Sequence, residues 1–118
     1  MDDKSKEPTL DVVFYRSDAG NEPVRDWLKS LPRENRKSIG EDIKTAQYGW
    51  PLGMPLIRKL ERDLWEVRSR THTGIARVIF TVKDDLMILL HSFEKKSQKT
   101  PLDDLNTARR RLADLEKD

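Results

Sequence analysis

An α+β fold with a mainly antiparallel sheet is what the sequence predicts, on three observations. A β-rich opening segment is followed by two stretches of helical periodicity, then by three short strand-like segments separated by turn residues, and last by an amphipathic stretch at helical spacing. The expected order is β-α-α-β-β-β-α, a helical hairpin packed on a small sheet.

Leu10 to Arg16, rich in β-branched and aromatic residues and stopped by Ser-Asp-Ala-Gly-Asn, reads as the first strand. Asn21 is placed to cap a helix from Glu22 to about Ser30, in which Val24, Trp27, Leu28 and Leu31 recur at helical spacing and Pro23 sits in the tolerant first turn. A second helix opens at Pro32 and runs to about Tyr48, with Ile39, Ile43 and Ala46 on one stripe and Gly49 as its stop. Two prolines and a glycine make Trp50 to Leu60 a connecting loop that ends in Arg58 and Lys59.

Asp63 to Arg70, Gly74 to Lys83 and Leu86 to about Lys95 follow as a meander of hairpins. Alternation in the middle strand puts Ala76, Val78, Phe80 and Val82 on one apolar face and Arg77 on the other. Trp65 and Val67 likewise turn inward, while Glu66, Arg68 and Arg70 share the opposite face, so Arg68 and Arg77 are expected as cross-strand neighbours. The run Leu86 to Leu90 is apolar on both faces, as in a strand flanked and covered on both sides, and it leaves the facing of His91 open. Phe93 and Lys95 are placed near the basic face. Thr100-Pro101-Leu102-Asp103 has the form of a helix start, with Thr100 as cap; Leu102, Leu105, Ala108, Leu112 and Leu115 then line one stripe.

The 118 residues suffice for one domain, expected over residues 10–118 behind a charged, disordered tail at 1–9. With 23 basic and 21 acidic residues the net charge is only +2, but the segment Arg58 to Lys99 holds 10 basic against 6 acidic residues. The basic excess is therefore local to the hairpins. The lack of cysteine removes disulfide, thiolate-metal and cysteine-nucleophile chemistry and fits a reducing compartment, with the cytoplasm the simplest location. No apolar run approaches the roughly 20 residues of a membrane helix. No cofactor or metal is expected, because His72 reads as a loop residue and His91 as a strand residue.

Arginine and lysine converging on one surface can clamp a phosphodiester and offset the charge that develops as phosphorus becomes pentacovalent. RNA brings its own nucleophile, the ribose 2′-hydroxyl, so a cleaving protein needs only to orient it and move protons. Candidate bases are Lys95, Lys96 and His91, with Glu66 and Glu94 as further choices. Phe93 could stack on an unpaired base. Taken singly, each of these features has an ordinary alternative: two arginines on a solvated sheet face, a lysine run in a loop, and Arg109-Arg110-Arg111 on the polar side of a helix.

The element order, together with Lys59-Leu60, Leu64-Trp65-Glu66-Val67-Arg68, Gly74-Ile75-Ala76-Arg77-Val78-Ile79-Phe80 and Leu89-Leu90-His91-Ser92-Phe93-Glu94-Lys95-Lys96-Ser97-Gln98-Lys99-Thr100-Pro101, resembles the RelE/HigB toxin superfamily, and within it the phage-derived Gp49-like, HigB-type branch. The resemblance runs from about Val12 to Leu115. It implies a RelE-like fold and a type II toxin, a ribosome-dependent, metal-independent endoribonuclease that cuts mRNA and is neutralised by a cognate antitoxin, a helix-turn-helix, HigA-like protein. On this resemblance Arg77 matches the phosphate-stabilising arginine, Arg68 the basic residue of the preceding strand, and Lys95 or Lys96 the closing basic pair; Lys59 matches less closely. His91 fills the place of a histidine common in HigB-type relatives if it faces the groove. The catalytic tyrosine that some relatives carry near the C-terminus has no counterpart, since the tyrosines are Tyr15 and Tyr48. A ParE-like gyrase poison of the same fold and an inactive phage-derived binding module are the alternatives.

Overall fold

The computed structural model describes residues 7–95 and 99–117, with Lys95 described by its backbone alone. Among them the elements run β1 (Asp11–Phe14), α1 (Pro23–Ser30), α2 (Arg33–Gly49), β2 (Ile57–Glu61), β3 (Leu64–Arg70), β4 (Ile75–Lys83), β5 (Leu86–Lys95) and α3 (Leu102–Leu115). The fold is α+β with one five-stranded sheet of order β1-β5-β4-β3-β2. Hairpin pairing makes β2 to β5 antiparallel; the two helices carry the chain from β1 across to β2 at the opposite edge, and β5, the last strand of the meander, lies parallel to β1.

Each face of the sheet is apolar enough to need a cover. On one face Val24, Ile39, Ile43 and Ala46 of the helical hairpin pack on Val67, Ala76, Val78, Phe80, Met87 and Leu89. On the other, Ala108 with Leu105, Leu112 and Leu115 packs on Leu64, Ile79, Ile88, Leu90 and Phe93. Two-sided burial is why Leu86 to Leu90 reads as a continuous apolar run: β5 lies between β1 and β4 and under helices on both sides.

Local structure departs from the expectations at several points. The stretch expected as loop from Trp50 to Leu60 contains the edge strand β2, so the order is β-α-α-β-β-β-β-α. Asn21 is not the cap of α1: its backbone N–H donates to Ser17 Oγ at 3.1 Å and its carbonyl accepts from Ser17 N–H, closing a turn, while Glu22 holds the cap position. Thr100 does not cap α3, which begins after Pro101. Leu102 lies off the buried stripe, with 64% of its surface exposed. Thr9, counted with the N-terminal tail, hydrogen-bonds to the end of α2, its N–H to Gln47 and its hydroxyl to Tyr48. Residues 1–6 of that tail lie outside the described residues.

Candidate functional site

Antiparallel register decides which charges share a face, because directly opposed residues project to the same side of a sheet. Arg68 of β3 stands opposite Arg77 of β4, and Arg77 opposite Phe93 of β5, one row across three strands. The next row carries Arg58 of β2, Glu66, Ile79 and His91. Both rows lie on the α3 side of the sheet.

His91 and Phe93 reach that side because of an irregularity. Phe80 pairs with Leu89 while Ile79 pairs with His91, so Leu90 is an extra residue in β5. Strict alternation from Leu89, which packs under the helical hairpin, would have carried His91 and Phe93 to the hairpin face as well. The bulge reverses their facing, and Leu90 and Phe93 both join the cluster beneath α3.

Glu66 and Arg77 are both fully buried. The Arg68 guanidinium, 13% exposed, approaches Glu66 at 3.9 Å, and Thr100 Oγ1 donates to the other carboxylate oxygen at 2.7 Å. The Arg77 guanidinium lies 5.9 Å from the centre of the Phe93 ring, within cation–π range. Burial pushes the Arg77 pKa below its ordinary value; Glu66 opposes that shift, and Arg68 and Arg58 add to it by like-charge repulsion. Arginine nonetheless stays protonated, so the burial cost is met by counter-charge rather than by proton loss. Arg58, Arg68 and Arg77 gather around the carboxylates of Glu66 and Asp104, and clustered guanidiniums are the groups best matched to oxyanions.

The expected site residues divide accordingly. Arg68, Arg77 and Phe93 are brought together. Phe93 is only 8% exposed, lying against Arg77 and the stacked ring of His91, so it supports the guanidinium and offers no open face to a base. His91 Nε2 meets Asp104 of α3 at 2.7 Å and Nδ1 lies 3.4 Å from Arg111, so both ring nitrogens are occupied by the helix rather than turned to a groove. Lys59 stands on the opposite face, paired with Trp65 and with its ammonium 5.8 Å from that ring. The neighbouring Arg58 takes the place expected of it. The Lys95 backbone pairs with Ile75 at the end of β5, and Lys96 lies outside the described residues.

Arg58 and Asp104 were missed in the sequence. Recognising a strand at Ile57–Glu61 would have found Arg58 by parity; Asp104 has no local signal. Two clefts border the rows. One, of about 370 Å³, is lined by Arg68, Arg70, Ile75, Leu56, Pro55 and Asp42, and the other, of about 540 Å³, includes Arg58, Lys99 and the start of α3. Among the described residues no cluster of histidines and carboxylates could hold a metal ion, and no helix is long and apolar enough to cross a membrane.

The sequence model of the phage-derived Gp49-like protein family matches residues 26–113, from α1 through nearly all of α3. No curated protein matches the chain.

Proposed function

The chain belongs to the phage-derived Gp49-like family, a family of RelE/HigB-like toxins, and on that premise we propose that it is the toxin of a type II toxin–antitoxin pair, an endoribonuclease that cleaves translated mRNA on the ribosome. Its partners in this reading are the mRNA, the ribosome and a helix-turn-helix antitoxin. The observation that supports cleavage is the opposed pair Arg68–Arg77, with Arg58 beside it and Glu66 buried among them.

In the reaction the 2′-hydroxyl attacks the adjacent phosphorus as its proton is removed, and the 5′-oxygen leaves with a proton. The products are a 2′,3′-cyclic phosphate and a 5′-hydroxyl. Arg68 receives the phosphate and Arg77 offsets the charge that grows on its non-bridging oxygens. Because Arg77 has no exposed surface, its contact with the phosphate requires its cover to open. Phe93 holds the Arg77 guanidinium, and Lys95 or Lys96 carries the protons. No step calls for a metal.

Primer extension on mRNA after induction of the protein tests the reading. New 5′ ends inside translated codons are expected. Growth arrest with DNA breaks and no new RNA ends would instead identify a gyrase poison of the same fold.

A further inference from the structure

The larger cleft is not used by the chemistry above, and its composition is specific. Leu60 of β2 and Pro101, Leu102 and Leu105 at the start of α3 supply apolar walls, while Arg58 and Lys99 supply cations. Leu102 is a large apolar residue left 64% exposed, although the rest of its helix stripe is packed. The cleft's volume, about 540 Å³, falls in the range of small-ligand sites.

Its position ties it to the arginine rows. Arg58 belongs both to the cleft lining and, opposite Glu66, to the basic face. Thr100 lines the cleft and donates to Glu66, so the α3 side of the cleft is anchored to the same carboxylate that the arginines surround. A chain whose scissile phosphate lay at Arg68 and Arg77 would thus pass the cleft with the adjoining nucleotide.

We propose that this cleft is a nucleotide subsite for single-stranded RNA, in which the unpaired base next to the cleavage position rests on Leu60, Leu102 and Leu105 and its phosphate meets Arg58 and Lys99. Charge complementarity selects this occupant: two cations over an apolar floor match a base with its phosphate, whereas duplex RNA would hold its bases stacked and out of reach. The inference rests on the ribonuclease reading for the placement of the scissile phosphate.

The test uses RNA oligonucleotides with a 2′-deoxy sugar at the cleavage position, which removes the nucleophile, and reads binding by fluorescence anisotropy. One oligonucleotide ends at the scissile phosphate; the other adds one nucleotide on each side. The wild-type protein should bind the longer one about fivefold more tightly, the scale of one apolar contact and one ion contact. Its logarithmic salt slope should steepen by about 0.7 for the added phosphate contact. Leu102→Asp with Lys99→Gln should remove the gain and leave the shorter oligonucleotide bound as before; Lys99→Gln alone should reduce the added salt slope, with Arg58 keeping the remainder. Absence of a gain in the wild-type protein, or an equal gain in the double variant, overturns the subsite. Loss of antitoxin binding in the double variant with the RNA gain intact assigns the cleft to a protein and overturns it too. mRNA cleavage without the gain removes only the subsite, and the gain in a protein that cuts no mRNA removes only the ribonuclease.

Discussion

Thr100 Oγ1 donates a 2.7 Å hydrogen bond to Glu66, a carboxylate with no exposed surface. The two residues are 34 positions apart, and their contact fastens the approach to α3 onto the strand that carries Arg68.

Thr100→Val keeps the shape of the side chain and removes the donor. A buried carboxylate that loses a hydrogen bond costs about 1–3 kcal/mol, and Thr100→Ser should recover most of it. Urea unfolding of the three proteins measures both values.

Glu66→Gln removes the negative charge from among Arg58, Arg68 and Arg77. The variant should be less stable than the parent, and inorganic phosphate or sulfate should raise its Tm more than it raises that of the parent, because the anion replaces the missing counter-charge. Equal shifts in the two proteins would show that Glu66 does not balance the arginines.

Lys59 and Arg58 are neighbours in sequence but face opposite sides of the sheet. Lys59→Ala should leave growth arrest and mRNA cleavage unchanged, within about twofold of the parent, as expected for an exposed side chain away from the site. Arg58→Ala should weaken RNA binding and flatten its salt dependence. Matched toxicity titrations and anisotropy measurements separate the two.

Tyr15 is buried under α3, its hydroxyl donating to Asp114 at 2.7 Å. Burial, and then the hydrogen bond to Asp114, raise its pKa above the ordinary 10.0. The neutral phenol is therefore the stabilising form. Its contribution is complete below pH 10 and is lost as pH rises through the raised pKa. Tm measured from pH 8 to 11 should fall more steeply at the alkaline end for the parent than for Tyr15→Phe.

Most of this architecture was legible because its signals are local. Alternation in Ala76 to Val82 fixed the facing of Arg77, and the apolar run Leu86 to Leu90 marked a central strand. The edge strand β2 was hidden because Arg58, Lys59, Glu61 and Arg62 blur any alternation and because an edge position leaves one side in solvent. Without that strand nothing in the sequence separates the facing of Lys59 from that of Arg58. Thr100 carries a sound capping signal, yet burial of Glu66 makes a stronger demand on the same hydroxyl, and that competition appears only when residues 34 positions apart meet. The bulge at Leu90 was equally invisible, and it alone sets His91 and Phe93 on the α3 side.

The central claim is that Arg77, held between Arg68 and Phe93, stabilises the phosphate as the RNA backbone breaks. Single-turnover cleavage of ribosome-bound mRNA by Arg77→Ala, alongside antitoxin binding and a thermal melt to verify the fold, tests it most directly. The account expects cleavage slowed by about 10² to 10³, the scale of a lost transition-state contact, with antitoxin binding retained. A folded Arg77→Ala protein that cuts mRNA at the parental rate would contradict it.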